Sequence, residues 1–167
     1  MNAHLVLILS SLLAGVVACP PLASAAPGAG EKKKAALAGL GKAGFTWNEA
    51  TRRVEITDDG RAGLRDLAAV QGALEVLQPF EIDLTSCPVL ENVDGLRGLH
   101  GLRVVNLSEC PVLQSADGIP TSATLKKVYL YLCPKVSADS LEALQKRLPK
   151  AYLVLPDGTG LNPPREQ

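Results

Sequence analysis

Few side chains in this chain can do chemistry. Four cysteines (Cys19, Cys87, Cys110 and Cys133) and two histidines (His4 and His100) are the whole stock of thiols and imidazoles. A nucleophilic triad needs a nucleophile, a base and an orienting group. His100 sits in Gly98-Leu-His-Gly101, and no serine is placed beside it by spacing, so it is expected as a solvated or turn-bonded residue. Thr57-Asp58-Asp59-Gly60 is acidic but lacks the alternating oxygen ligands of a calcium loop, and is expected as a turn. Gly39–Gly44 (GLGKAG) has the bare spacing of a phosphate-binding turn, yet no strand precedes it and no βαβ unit surrounds it. Glu55 and Asp83 would form a glycosidase-like carboxylate pair only inside a deep cleft. The cysteine spacing is unlike that of a zinc pair. Neither a cofactor nor a metal is expected, and the chain is expected not to be an enzyme.

The elements that position these residues follow from composition and periodicity. The chain has 167 residues, 47% of them apolar and 4% aromatic, which allows one domain with an aliphatic core. Lys+Arg and Asp+Glu both number 17, so the electrostatic case for nucleic acid or an anionic membrane surface is absent.

Leu5–Ala18 is a continuous apolar run. A membrane span needs about 20 residues, and the core of a secretory signal about 7–15, so the run fits the signal and falls short of the span. Ala23-Ser24-Ala25 then offers the small residues a signal peptidase reads, which makes residues 1–25 a signal peptide. Val16-Val17-Ala18-Cys19 instead resembles a bacterial lipobox, with Cys19 as the lipidated residue. Either exit places the mature protein outside the cytoplasm. It would be secreted or periplasmic by the first, an outer-membrane or cell-surface lipoprotein by the second. Residues 26–34 are small, polar and rich in Gly and Pro, and are expected as a flexible linker.

Cys87, Cys110 and Cys133 are each followed by proline and are evenly spaced, twenty-three positions apart. Leu84, Leu107 and Leu130 precede them by three positions, and Ile82, Val105 and Val128 by five. Leu90, Leu113 and Val136 follow by three. The frame extends upstream through Val54 and Ile56 if the first unit is longer, at twenty-eight positions. Downstream it runs through Leu148, Ala151 and Leu153, where Pro156 replaces cysteine. A period of about 20–29 residues with L-x-x-L-x-L-x-x-N/C-x-L resembles the leucine-rich repeat family in its cysteine-containing form.

That resemblance implies an α/β fold: a short right-handed solenoid with a parallel β-sheet on its concave face and short helices or turns on the convex side. About five units would occupy residues 52–158, behind an N-terminal cap at 35–51 and ahead of a disordered tail at 159–167. Convex helices are expected at Leu64, Leu67, Ala68 and Leu74, and at Leu141, Leu144 and Leu148 behind an N-cap at Ser137. In repeats of this kind the cysteine column points inward and bonds the turning backbone. Buried free thiols at Cys87, Cys110 and Cys133 are the leading expectation, with a neighbour disulfide and a thiolate metal site as the alternatives. The lack of cysteine-rich caps favours a bacterial source.

The family is chiefly one of interaction scaffolds, so the resemblance implies a protein partner met on the concave face. The outward columns are Arg53, Glu81, Val104, Lys127, Lys150; then Glu55, Asp83, Asn106, Tyr129, Tyr152; then Thr57, Thr85, Ser108, Tyr131, Val154. All three tyrosines of the chain fall here. Lys127, Tyr129, Tyr131, Lys150 and Tyr152 are the expected recognition patch, unless the tyrosines simply cover the last units as a cap. A structural envelope lipoprotein anchored through Cys19 is the other function the sequence allows.

Overall fold

A computed structural model describes residues 28–162. The chain forms one mixed α/β unit around a seven-stranded sheet whose strands lie in sequence order. Helix α1 (Ala29–Lys42) leads into β1 (Phe45–Asn48), which turns back as the antiparallel neighbour of β2 (Arg53–Ile56). The short α2 (Asp58–Arg61) and then α3 (Gln71–Leu77) precede β3 (Glu81–Asp83). A 3-10 turn at Asp94–Leu96 leads to β4 (Val104–Asn106), and an irregular stretch to β5 (Lys127–Tyr129). Helix α4 (Ala138–Arg147) precedes β6 (Tyr152–Val154), and β7 (Gly160–Leu161) closes the sheet antiparallel to β6. From β2 to β6 every pairing is parallel.

The register explains why these short segments become strands. Val54, Ile82, Val105, Val128 and Leu153 are successive partners across the sheet, and all are buried. Two positions on, Ile56, Leu84, Leu107 and Leu130 are buried as well. Side chains alternate across a strand, so this period of two sends one face of each strand into a single aliphatic core. A fully buried aliphatic side chain contributes about 1.5–3 kcal/mol, which a short strand obtains only by stacking on its neighbours. The ladder continues past the strands: Leu84, Leu107 and Leu130 donate their N–H to Asn106, Tyr129 and Val154 oxygens at 2.8–2.9 Å.

The segments opposite the sheet complete the core. Leu90, Leu113 and Val136 are buried in successive turns, and α4 adds Leu144, with Leu148 just past its end. The Ser137 hydroxyl accepts from the Ser140 N–H at 3.2 Å, which caps α4 as its sequence predicts. The pairs Asp94-Gly95 and Asp117-Gly118 mark where successive turns touch. A Cβ on Gly95 would lie 2.7 Å from the Leu67 Cβ, and one on Gly118 only 2.2 Å from the Val93 oxygen.

Several sequence expectations need correction. Residues 29–34 are not linker but the opening turns of α1, which is held by the packing of α1 on α3 and buries Ala36 and Leu40. Of the helix expected through Leu64, Leu67, Ala68 and Leu74, only Leu74 is helical, because α3 begins at Gln71; Leu67 reaches the core from a turn. The tail expected from residue 159 contributes β7, whose Leu161 pairs with Leu153. The signal peptide and lipobox lie outside the described residues, and no described helix is long and apolar enough to cross a membrane.

A candidate recognition face on the parallel sheet

Alternation that buries Val54 or Val105 turns their neighbours outward. The pairing places Arg53, Glu81, Val104, Lys127 and Tyr152 in one outward row, and Glu55, Asp83, Asn106, Tyr129 and Val154 in the next. These side chains are half-buried or exposed. The face is therefore a continuous surface across five strands.

The row containing Tyr152 departs from expectation. The preceding pairs, Ile82–Val105 and Val105–Val128, keep the spacing of the cysteines, but Val128 pairs with Leu153, two positions further along. Helix α4 and the turn after it take up the two extra positions. A slip of two preserves which side chains face inward, so Ala151 and Leu153 stay buried and the hydrophobic pattern gives no sign of it. Lys150 consequently lies in the exposed turn before β6, off the face, and Tyr152 stands beside Lys127 instead of Tyr129.

At the β2–β3 end the face is a carboxylate cluster around one guanidinium. Arg53 reaches Asp83 at 2.6 Å, Glu81 at 3.2 Å and Glu55 at 3.7 Å. Three carboxylates against one cation leave a surplus of two negative charges. Asp83 Oδ1 also accepts from the Thr85 backbone N–H at 3.1 Å and hydroxyl at 2.6 Å. In the next unit Asn106 Oδ1 accepts from the Ser108 N–H at 3.2 Å. Both are side-chain turns that hold the strand exit in place.

At the β5–β6 end, Tyr129 stands where Asp83 and Asn106 stand, with no such bond to offer. Its ring meets Tyr152 edge to face, centroids 6.5 Å apart. Tyr152 lies over the closing turn: a Cβ on Gly160 would be 2.8 Å from its hydroxyl. Tyr131 touches the same turn at Gly158 yet remains 44% exposed. Lys127 is exposed and makes no ion pair among the described residues.

The residue before each of Cys87, Cys110 and Cys133 has positive φ, which the repeat pattern does not mark: Ser86 at 58°, Glu109 at 60° and Leu132 at 57°. The left-handed region costs an L-residue roughly 1–2 kcal/mol. Ser86 and Glu109 are polar and hydrogen-bonded to each other at 2.6 Å. Leu132 is apolar, 49% exposed, and adjacent in the chain to Tyr131. The available signal was an aliphatic residue in a column that is otherwise polar.

The three thiols lie behind this face, buried and free. Cys133 Sγ donates to the Leu107 oxygen at 2.9 Å and Cys110 Sγ to the Leu84 oxygen at 3.4 Å. Cys87 has only the distant Thr85 oxygen, at 4.0 Å. Along the column the neighbouring Cys110 thiol lowers the Cys87 pKa against its burial, with the Arg61 charge assisting. At Cys110 the Cys133 thiol acts downward, but the Cys87 thiol together with burial pushes the group up to about 12. The Cys110 thiol, then burial, pushes Cys133 up too. A buried protonated thiol is a poor nucleophile.

The remaining chemical candidates are not brought together. His100 is exposed, and it is its backbone oxygen that Ser122 and Thr124 hydroxyls bond, at 2.7 and 2.9 Å. Thr57 caps α2 and donates to the Gly44 oxygen. Gly39–Gly44 is the C-terminal end of α1, where the Ala43 and Gly44 N–H groups are already bonded to preceding carbonyls. A helix C-terminus repels anions, so this segment is no phosphate cradle. It does line an open cavity of about 680 Å³ together with Asp59, Arg65 and Asp66, whose charges are mixed. No cluster of three or more metal-ligating side chains occurs among the described residues.

No protein-family model, no curated protein and no solved structure matches the chain.

Proposed function

We propose that the chain is a leucine-rich repeat solenoid acting as a non-enzymatic protein-binding module, exported to the cell envelope or medium. In this reading the parallel strands form the concave face, and that face meets the partner. The observation that carries it is the gathering of Tyr129, Tyr152 and Lys127, with Tyr131 just past β5, on the outward side of strands whose inward side is wholly aliphatic. Tyrosine presents a large contact area at small entropic cost and is enriched where binding energy concentrates. The regular repeat offset of β3, β4 and β5, each followed by a cysteine turn, supports the repeat assignment.

The test is cross-linking at the envelope and in the medium of the native cells, with the chain and its Tyr131→Ala variant compared. The partner captured by the former should be lost by the latter, with the thermal midpoint nearly unchanged. A partner retained by the variant would remove the face from the reading. The intact mass of the mature protein tests export: a start at Ala26 means a free protein, and a start at acylated Cys19 a tethered one.

A further inference from the structure

The two ends of the outward face differ in charge and polarity, and the difference names a partner chemistry. We infer, resting on the recognition reading above, that the face takes an extended peptide in which a cationic side chain lies about three to four residues from an apolar anchor.

The anchor end is Tyr131–Leu132. These are two of the three large apolar residues most exposed among the described residues, and they are consecutive. Leu132 is also held at positive φ, in the column where Ser86 and Glu109 are polar. A strained and exposed aliphatic residue contributes nothing to folding that a glycine or asparagine would not, whereas it offers a partner an apolar contact.

The cationic end is the carboxylate surplus around Arg53, with Glu81 and Asp83 on β3. Glu109 extends the negative character to the residue preceding Leu132 in its column. Asp83 and Tyr129 are two strands apart, about 10 Å at about 4.8 Å per strand, and Tyr131 lies two residues further along the chain, about 6–7 Å. The diagonal is roughly 12 Å, the length of about three to four extended residues. A peptide crossing the strands obliquely would therefore set its cation over Asp83 and, about three to four residues later, its apolar side chain against Tyr131 and Leu132.

The size of the face selects a peptide over a second copy of the chain. Five strands and the outward residues along each cover roughly 20 Å by roughly 13 Å, about 260 Å². A stable interface between globular partners buries about 800 Å² on each. The face is about a third of that, but it accommodates roughly six or seven extended residues.

The experiment pans a random heptapeptide library on the immobilised full chain and measures the recovered consensus as a labelled synthetic peptide. The consensus should carry Arg or Lys three or four positions from Leu, Ile or Phe. Leu132→Gly relieves backbone strain, so it folds at least as well as the parent, and it should weaken binding at least tenfold. Glu81→Gln with Asp83→Asn should weaken it at least fivefold and erase the advantage of Arg over Gln in the peptide. A consensus without a cation, still lost in Leu132→Gly, overturns this inference and leaves the recognition face standing. Binding indifferent to every face variant, or no enrichment at all, overturns both. A dimer in sedimentation that Tyr131→Ser dissociates overturns the inference by making a second copy the occupant.

Discussion

The β2–β3 end and the β5–β6 end of the sheet share a backbone and differ in almost every outward side chain. Inward, Ile82 and Leu84 in the first and Val128 and Leu130 in the second occupy equivalent buried positions. Outward, the first end gathers Glu55, Glu81 and Asp83 around the single cation Arg53, while the second exposes tyrosines, Leu132 and Lys127. The inward columns are thus constrained by packing and the outward ones are not. What the outward residues do has to come from what they offer a partner or from what they cover.

The largest effects should show that the two ends are equal inside. Leu84→Ala and Leu130→Ala each remove a fully buried side chain and should each cost about 3 kcal/mol in urea unfolding. A difference beyond about 1 kcal/mol would mean the last units are held more loosely, and the premise of a shared core would fail. Next comes the division within the tyrosines. Tyr152 lies over Gly160, so Tyr152→Ala should cost about 2 kcal/mol, whereas Tyr131→Ala should cost under about 0.5 kcal/mol. Equal costs would place Tyr131, with Tyr152, among the residues that hold β7 in place.

The thiol column runs behind both ends, and its response to alkali is set by sign. An unfolded Cys110 releases its proton near the ordinary 9.0, while the folded thiol holds it to about 12. Between these values the unfolded state binds fewer protons, so stability falls as pH rises through that window, by about 1.4 kcal/mol per unit for this group. The quantity to measure is therefore the slope of stability against pH in the parent minus that in Cys110→Ala. A difference of zero would place Cys110 in a more solvated setting than its burial indicates.

Much of this architecture was legible in the chain because its strongest constraint is periodic. The evenly spaced column of Leu84, Leu107 and Leu130, and the longer first unit through Val54, foretold the observed strand pairings. What was hidden lacks a periodic signature. The slip of two positions that removed Lys150 from the face preserves inward and outward parity. The folding of residues 29–34 into α1 depends on packing against α3, distant in sequence. The positive φ at Leu132 is a property of the turn, and sequence marks such positions reliably only when glycine or asparagine fills them. Arg53 as the hub of three carboxylates needed the sheet register to bring β2 and β3 side by side.

The smallest effect separates the ends electrostatically. Arg53 is about one-third exposed, so its ion pairs are partly screened. Its Nε is buried without a hydrogen-bond partner, which offsets part of what the guanidinium contributes. A net cost of about 1 kcal/mol is expected for Arg53→Met, mostly from leaving Glu55, Glu81 and Asp83 to repel one another. That cost should shrink in about 1 M salt, where screening shortens to roughly 3 Å. Lys127→Met, at the other end, removes a charge that holds no described ion pair and should change stability by less than about 0.5 kcal/mol at any salt. If Lys127→Met proved the costlier of the two, the charge on β5 would be serving the fold, and Lys127 would have to be withdrawn from the groups free to meet a partner.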